Sequence, residues 1–474
     1  MQRAQSFDCK INTTYSLCVF LRLCVKNIFA ELTHKKIGCG VLEMLPQKML
    51  FTKNIFIFFC CLQKTFFIFA VEKLKKMEEL YNFFYRELRK TNLSFQRYLI
   101  DDIDWEGRLS AITGARGTGK TTMILQHIKH TFGNSPGQVL YISADHIWFS
   151  GNRLFDLAAD FERQGGKYLF IDEVHKYENW SQEIKNIYDT FSDLKVVITG
   201  SSMLQIYKGN ADLSRRAAHY VLRGLSFREF LKYDQHIDFE RISLDEILHN
   251  HIEIAGNINE KIKPLPLFNT YLKHGYYPYY KEDKRFYLSK LANTINLILE
   301  TDLPAVESIE MYSIRKIKQL LWIISQAVPF TPKITDLADN LKVSRNSLLN
   351  YLTILERGGL INMLQSNTKS ISTLAKPEKI YLNNTNQIYA FDSIKPNIGN
   401  LRETFFFNQL QAISEVTSSI RADFTVDNRY VFEVGGKNKG HEQIVGLKDA
   451  YLALDNLEYG YGNKIPLWLF GMLY

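Results

Sequence analysis

The chain has 474 residues, of which 46% are hydrophobic and 23% charged, and this composition excludes a disordered, collagenous or coiled-coil protein. The net charge of +8 is confined to residues 1–76, which hold 12 basic and 4 acidic residues, so the remainder is balanced and shows no overall bias towards nucleic acid. All six cysteines also lie in residues 1–76. The remainder therefore has no disulfide framework, thiolate zinc site or catalytic cysteine.

The first 76 residues differ from the rest of the chain. Their most apolar stretch, 54–71, is interrupted by Gln63, Lys64 and Thr65, and a central lysine costs about 2.5–3.5 kcal/mol on insertion scales. Three interpretations are open: a membrane anchor, an unusual extension, or translated upstream sequence before a start at Met77. We favour the third, because an amphipathic helical pattern begins at Met77. No membrane partner is expected unless residues 1–76 belong to the protein.

A glycine-rich loop between a strand and a helix follows at residues 108–130. Gly114, Gly119, Lys120 and Thr121 fit the pattern G-x-x-x-x-G-K-[ST], in which backbone amides and a helix N-terminus surround phosphates. Lys120 is expected to reach the β- and γ-phosphates of ATP, and the Thr121 hydroxyl to bind Mg²⁺. The predicted cofactor-binding residues are Gly114, Ala115, Arg116, Gly117, Thr118, Gly119, Lys120, Thr121 and Thr122.

Two further apolar strands end in polar residues. The first, within residues 167–176, ends at Asp172 and Glu173, at the edge where open parallel sheets bind ligands. Asp172 is predicted to hold Mg²⁺ through water, and Glu173 to act as general base on the attacking water. The second, within residues 194–202, brings Thr199, Ser201 and Ser202 to the same edge, and Thr199 is the best candidate to sense the γ-phosphate.

Arginines supply further catalytic candidates. Arg215 and Arg216 follow the Thr199 strand, where they could act on the γ-phosphate bound to a neighbouring subunit of a homo-oligomer. A purely structural or solvated role is an equal alternative. Arg116 lies inside the glycine-rich loop, where a surface or interdomain contact is favoured over catalysis.

These motifs together resemble a known family. The segments GARGTGKTT, YLFIDEVHKYENW, VVITGSS and LSRR…LRGLSFREFL are similar to prokaryotic AAA-type ATPases common in bacteria. Members pair the ATPase with a winged helix and a C-terminal domain similar to restriction endonucleases. The resemblance covers about residues 80–474 and implies a P-loop fold, ATP and Mg²⁺. It implies no settled biological role.

The middle of the chain has a helical pattern. The aromatic cluster 274–280 is predicted to serve packing rather than base stacking. Residues 313–365 predict three helices, the third capped by Ser344 and ended by Gly358 and Gly359, with the spacing of a winged helix-turn-helix. Arg345, Asn346 and Asn350 could contact DNA. Since this helix has few basic residues, a protein-contact or purely structural role is slightly favoured.

The C-terminal region predicts a hairpin, with Asp423 and Glu433 on its strands, followed by a helix. The resemblance implies a nuclease core in which Asp and Glu hold Mg²⁺ and a lysine lies two residues after Glu, with Glu403 and Gln443 accessory. Here Gly435 replaces that lysine, Lys437 lies two residues further on, and Gly435–Gly436 argues against a regular strand. We expect an inactive nuclease-like fold, with residual cleavage by Asp423, Glu433 and Lys437 as the alternative. The final segment is predicted to form a strand.

The predicted fold class is α/β. Its five parts are an atypical extension, a P-loop AAA-type ATPase domain, a helical lid, a winged helix-turn-helix and a restriction-endonuclease-like domain, with bounds 1–76, 77–231, 232–312, 313–366 and 367–474. The leading function is a cytoplasmic Mg²⁺-dependent ATPase that couples nucleotide state to a DNA or protein partner. The alternatives are an ATP-gated nuclease and a non-hydrolysing regulator switched by ATP.

Overall fold

The structure is a computed structural model that describes residues 77–134, 137–200, 213, 215–304, 309–326, 329–366, 376–391 and 396–474. The predictions for residues 1–76, including the apolar stretch 54–71, and for Ser201 and Ser202 fall outside these residues. In the described ranges, every helix is too short or too polar to cross a membrane.

A five-stranded parallel sheet forms the centre of the N-terminal half. Its strands are β1 (Leu109–Thr113), β2 (Val139–Ser143), β3 (Tyr168–Asp172), β4 (Lys195–Gly200) and β5 (Ala218–Val221). The spatial order is β2-β3-β4-β1-β5, and every neighbouring pair is parallel. The carboxyl ends of β1, β3 and β4 therefore meet at one edge of the sheet, as the sequence predicts.

Four helices accompany this sheet: α1 (77–90), α2 (Lys120–Phe132), α3 (Leu154–Arg163) and α4 (Trp180–Thr190). In α1, Leu80, Phe84 and Leu88 recur at four-residue intervals and are buried, so the helix predicted from Met77 onwards is confirmed. Helix α2 starts directly from the glycine-rich loop, with Gly119 as its N-cap.

The C-terminal half is mostly helical before its second sheet. Its helices are α5 (Phe227–Phe230), α6 (Leu244–Asn259), α7 (Pro264–His274), α8 (Tyr287–Leu297), α9 (Met311–Gln326), α10 (Ile334–Leu341), α11 (Arg345–Arg357), α12 (Thr385–Phe391) and α13 (Ile398–Leu410). The three helices predicted within 313–365 are confirmed as α9, α10 and α11. Ser344 caps α11 by accepting a hydrogen bond from the Ser347 amide at 3.0 Å, and the helix ends at Gly358.

An antiparallel pair, β6 (Ile361–Leu364) and β7 (Lys379–Leu382), follows α11. The second five-stranded sheet consists of β8 (Val416–Ser418), β9 (Phe424–Val426), β10 (Tyr430–Gly436), β11 (Ala450–Asp455) and β12 (Lys464–Pro466). Its order is β12-β11-β10-β9-β8, in which β10, β11 and β12 are parallel and the pairs β8–β9 and β9–β10 are antiparallel.

Four predictions for this region need correction. Asp423 lies in a bend directly before β9, where a place on the strand was predicted. Strand β10 continues through Gly435 and Gly436, because β11 pairs with it along its length, so the doubt about a regular strand was wrong. Gln443 lies in a series of turns, where a helix was predicted. At the chain end only Lys464–Pro466 forms a strand, since Leu467–Met472 turns into a 3₁₀ helix.

Buried apolar side chains form two large cores. One extends from Met77 to Leu222 and surrounds the parallel sheet. The other extends from Phe227 to Leu473 and includes residues of the helical region, of β6 and β7, and of the second sheet. The segments predicted as lid, winged helix and C-terminal domain thus share one continuous core, so they are expected to move together more readily than apart.

Candidate functional site

The glycine-rich loop connects β1 to α2 in the conformation that phosphate binding requires. Gly119, the N-cap residue of α2, has a φ of 94°. Since it has no side chain, it cannot accept a hydrogen bond from the first backbone amides of α2, and these amides stay available to an anion. Lys120 is buried, and its Nζ donates to the carbonyl oxygens of Gly114 at 2.9 Å and Ala115 at 3.1 Å. The Lys120 side chain is therefore folded back onto the glycine-rich loop. It would have to give up these two carbonyl oxygens to bind a phosphate.

Asp172, at the end of β3, receives three hydroxyl donors. Thr121 donates to Oδ2 at 2.6 Å, Tyr141 donates to Oδ2 at 2.9 Å, and Thr199 donates to Oδ1. The structure thus brings together Thr121, Asp172 and Thr199, which the sequence placed on three separate segments. Tyr141 was not foreseen, because a tyrosine inside the apolar strand β2 reads as a core residue.

Glu173 follows in a left-handed conformation, with φ of 51°. Its amide donates to Thr199 Oγ1 at 3.1 Å and to Asp172 Oδ1 at 3.1 Å, which fixes the backbone at this turn. Burial raises the pKa of the Glu173 carboxyl, although nearby Lys120 opposes that shift. His175 Nε2 lies 3.3 Å from Glu173 Oε2. Burial lowers the pKa of His175 to about 4, so the imidazole is neutral at pH 7.

A cleft of about 460 Å³ opens over these groups. It is lined by the loop and helix residues Gly117, Gly119, Lys120, Thr121, Thr122 and Gln126, by Glu173, and by Asn92, Ser94, Phe95, Arg97, Tyr233, Pro278, Tyr279 and Glu282. The lining combines phosphate-binding elements with the aromatic rings of Phe95, Tyr233 and Tyr279. This is a suitable combination for a nucleotide, which has an anionic end and an aromatic end.

The aromatic cluster 274–280 forms part of this site by packing. Tyr276, Tyr277 and Tyr280 are buried, which confirms the predicted packing role. A Cβ atom on Gly117 would come within 2.7 Å of Tyr279 Cε1, so the ring lies directly on the loop. Gly117 is required here both by this contact and by its φ of 84°.

Residues 106–231 match the model of a family described as "AAA domain". This segment is an AAA-type P-loop domain. Residues 265–397 match a second family, described as a domain of unknown function. The sequence is also 26% identical, over 284 residues, to an uncharacterized protein of Methanocaldococcus jannaschii. That match covers 57% of this chain and 60% of the relative, so the chain spans less than two thirds of the relative's length.

Solved structures give weaker similarities. A Walker-type ATPase of Pyrococcus abyssi matches with a TM-score of 0.36 and 11% identity, over 60% of this chain and 91% of that one. AMPPCP-bound DnaA from Aquifex aeolicus matches with a TM-score of 0.21 and 16% identity, over 54% of this chain and 84% of that one. TM-scores below 0.5 are too low to establish a common overall fold, so the family match and the site geometry support the assignment of the AAA domain.

A buried ion pair lies against the glycine-rich loop of the AAA domain. Arg97 Nε lies 2.9 Å from Glu229 Oε1, and both side chains are almost fully buried. Arg97 also donates to the carbonyl oxygens of Thr118, Arg223 and Gly224. No sequence pattern singled out Arg97. Glu229 stood within the LRGLSFREFL segment, so that segment was the signal that could have identified the pair.

The predicted arginines lie at different places around the AAA domain. Arg116 Nη1 lies 3.1 Å from Oδ2 of Asp302, which belongs to the helical region. Arg216 pairs with Asp189 of the same chain at 3.0 Å, and Arg215 is exposed. An action of Arg215 or Arg216 on a neighbouring subunit stays a prediction.

A second group of ionisable side chains lies in the C-terminal half. Lys379 Nζ, on β7, lies 3.1 Å from Asp423 Oδ1 and 3.3 Å from Glu403 Oε2. Lys439 Nζ lies 2.6 Å from Oε1 of the buried Glu433. Burial raises the pKa values of Glu403 and Glu433, and Asp423 raises both further. We call these five residues the carboxylate–lysine cluster.

The cluster contains a different lysine from the one that the sequence spacing favoured. Lys437 is exposed, whereas Lys439 folds back across the strand to reach Glu433. A Cβ atom on Gly435 would lie 2.7 Å from Lys439 Cβ and Cγ, so the missing side chain makes room for this lysine. Over the described part of the chain, no three His, Cys, Asp or Glu side chains lie close enough together to hold a metal ion.

Proposed function

We propose that this protein is a Mg²⁺-dependent ATPase whose nucleotide state controls the engagement of a partner, and that it acts in the cytoplasm. The observation that carries the proposal is the arrangement of five side chains around one cleft. Lys120, Thr121 and Glu173 line it. Asp172 and Thr199 lie beside them, hydrogen-bonded to the Thr121 hydroxyl and to the Glu173 amide, respectively. These residues supply an anion-binding loop, two oxygen groups for a cation, and a carboxylate beside them.

The oxygen donors suit Mg²⁺. The Thr121 hydroxyl and the Asp172 carboxylate lie in direct contact at 2.6 Å, and magnesium prefers ligands of this type together with phosphate oxygens. When bound, Mg²⁺ would neutralise charge on the β- and γ-phosphates. Thr121 would hold it directly, and Asp172 through water.

The chain's own residues then divide the remaining tasks. Lys120 would exchange the carbonyl oxygens of Gly114 and Ala115 for phosphate oxygens. Glu173 would accept a proton from the attacking water at its carboxylate, and its raised pKa brings it closer to the pH at which a base is most effective. Thr199, bonded to Asp172 and to the Glu173 amide, would register the presence of the γ-phosphate.

The partner is proposed to bind the winged helix. Such a module consists of three helices followed by a small antiparallel sheet. This arrangement is matched by α9, α10 and α11, the β6–β7 pair, and a bridge between Phe330 and Ile380. Arg345, Asn346 and Asn350 are exposed on α11. Because this surface offers little basic charge, a protein partner is favoured over DNA.

The test is ATP hydrolysis by the full chain, with and without DNA, compared with Lys120→Ala and Glu173→Gln. We expect Lys120→Ala to abolish binding, and Glu173→Gln to retain ATP while its turnover falls by roughly 100-fold or more. Glu178→Gln is the matched control, since Glu178 lies on the adjoining turn outside the nucleotide cleft. Wild-type turnover that persists in Glu173→Gln would contradict the role of that residue.

The carboxylate–lysine cluster supports a second candidate, a metal-dependent nuclease. The observation that favours it is the return of Lys439 over Gly435, which restores a lysine beside Glu433. Cleavage of several DNA forms with ATP and Mg²⁺ or Mn²⁺ would be measured for the wild type, Glu433→Ala and Lys439→Ala, with Lys437→Ala as control. No cleavage by the wild type would exclude this candidate. We regard it as the lesser one, because lysines already neutralise the carboxylates.

A further inference from the structure

We infer that Asp302 is a positioning residue that holds Arg116 away from the nucleotide and releases it when a triphosphate binds. The inference rests on the proposed function, since it concerns the response of the same cleft to its nucleotide. Asp302 belongs to a π-helical turn, Ile298–Asp302, that follows α8 in the helical region. It is therefore outside the AAA domain, yet it contacts that domain at two basic side chains.

The Asp302 side chain is only 3% exposed and lies between two cations. Arg116 Nη1 is 3.1 Å from Oδ2 and 3.3 Å from Oδ1, and Lys176 Nζ is 3.0 Å from Oδ1. Arg116 belongs to the glycine-rich loop, and Lys176 follows Glu173 by three residues. A single carboxylate thus connects the phosphate loop, the turn after β3 and the helical region.

The two contacts differ in what a nucleotide would do to them. Arg116 is 38% exposed and part of the loop that surrounds the phosphates, so its guanidinium can exchange Asp302 for a phosphate oxygen by side-chain rotation. Neither side chain lines the cleft, but Lys176 lies outside the glycine-rich loop and can stay with Asp302. A triphosphate carries more negative charge than a diphosphate and extends further along the loop, so it competes better for Arg116.

Release of Arg116 would weaken the tie between the AAA domain and the turn at Ile298–Asp302. Because Asp302 is buried, water screens its attraction to the two cations less than it screens an exposed ion pair. The turn lies between α8 and α9 in the chain, so the tie leads directly to the proposed partner-binding module. ATP and ADP would thereby be distinguished at a contact between the nucleotide loop and the helical region.

The experiment is measurement of ATP and ADP affinities for the full-length wild type, Asp302→Asn, Arg116→Gln and the double variant. Asp302→Asn keeps the shape but removes the competing charge, so we expect it to bind ATP roughly fivefold more tightly, with a smaller gain for ADP. In the Arg116→Gln background this gain should disappear. Glu300→Gln is the matched control, since Glu300 is an exposed carboxylate of the same turn paired with Lys318.

The outcomes separate this inference from the proposed function. No ATP binding by the wild type would overturn both. Wild-type binding that is lost in Lys120→Ala but unchanged in Asp302→Asn would overturn only the role of Asp302, as would an equal gain in Glu300→Gln or a gain that persists without Arg116. If Asp302→Asn does not fold, amide hydrogen exchange in residues 298–304 of the wild type gives the same decision. The rate of amide exchange in residues 298–304 should rise when a non-hydrolysable ATP analogue binds and should stay unchanged with ADP. In Arg116→Gln, the two nucleotides should give the same rate.

Discussion

The AAA domain and the C-terminal half both carry carboxylates on or beside the strands of a sheet, but the partners of these carboxylates differ. Asp172 ends the parallel strand β3, whereas Asp423 directly precedes β9 and Glu433 lies within β10. Asp172 accepts hydrogen bonds from neutral hydroxyls of Thr121, Tyr141 and Thr199, so its negative charge remains available to a cation. Asp423 and Glu433 instead face Lys379 and Lys439, whose charges occupy that role. A carboxylate surrounded by hydroxyls is prepared for a metal ion, whereas one paired with lysine is already neutralised.

The largest effect is expected when Asp172 and Asp423 are each replaced by Asn in separate variants. Asp172→Asn should lower ATP turnover by roughly 100-fold, because a Mg²⁺-binding charge is lost, while thermal stability stays close to that of the wild type. Asp423→Asn should do the reverse, leaving turnover intact and lowering stability, because Lys379 loses part of its charge compensation. Turnover assays and thermal melts of both variants check this. Loss of turnover in Asp423→Asn would mean that the two sites are coupled.

Lys379→Met tests the structural role of the lysines. It would leave Glu403 and Asp423 without their shared cation, and we expect a loss of about 2 kcal/mol in the free energy of unfolding, reduced from the fully buried case because Lys379 is 28% exposed. Chemical denaturation gives the value. Lys437→Met, at the exposed position, is the control and should change little. A stabilised Lys379→Met would show that the lysine serves a ligand rather than the fold.

Gly435→Ala tests the route by which Lys439 reaches Glu433. The added methyl group would meet Lys439 Cβ and Cγ at 2.7 Å, so the lysine must move or the strand must shift, at about 1–2 kcal/mol. Gly436→Ala is the matched control, since its methyl group would meet the guanidinium end of Arg402 at 3.1 Å, which is a longer contact than the one at Gly435. Equal losses in the two variants would contradict a specific role for the space above Gly435.

The pH dependence of stability tests the buried acid directly. Burial raises the pKa of Glu433 above its value in the unfolded chain, so its contribution favours the folded state at low pH and is lost as pH rises through the folded pKa. Glu433→Gln should therefore be more stable than the wild type at pH 7, with the advantage absent near pH 4. Melting curves across this range measure it. Glu458→Gln, at an exposed position, should show no such change.

Arg216→Ala is the smallest expected effect on stability. Its pair with Asp189 is partly exposed, so the loss should stay below about 1 kcal/mol. A fall in turnover without a fall in stability, seen only at concentrations where the protein self-associates, would support action across a subunit interface. Unchanged turnover at all protein concentrations would mean that Arg216 has a structural role within its own chain, such as its contact with Asp189.

The sequence predicted the AAA domain's site far better than the C-terminal cluster, for a physical reason. The loop from Gly114 to Thr122 is one continuous segment whose spacing determines its chemistry, and Asp172 lies directly at a strand end. Lys379 and Lys439 contact their carboxylate partners only through the tertiary fold, so the spacing of residues along the chain does not predict these contacts. Lys437 was favoured on strand periodicity, but that argument fails once the chain turns after Gly436.

The position of β1 in the first sheet has a consequence for how the chain folds. β1 has β4 and β5 as its neighbours: Leu109 pairs with Val196, and Ser110 with Ala218. During synthesis the strand that carries the phosphate loop must therefore wait, unpaired, until most of the AAA domain has left the ribosome. Contacts so distant in sequence slow folding and leave an apolar strand exposed meanwhile, so nascent chains of this protein are expected to need protection from aggregation before they can bind any nucleotide.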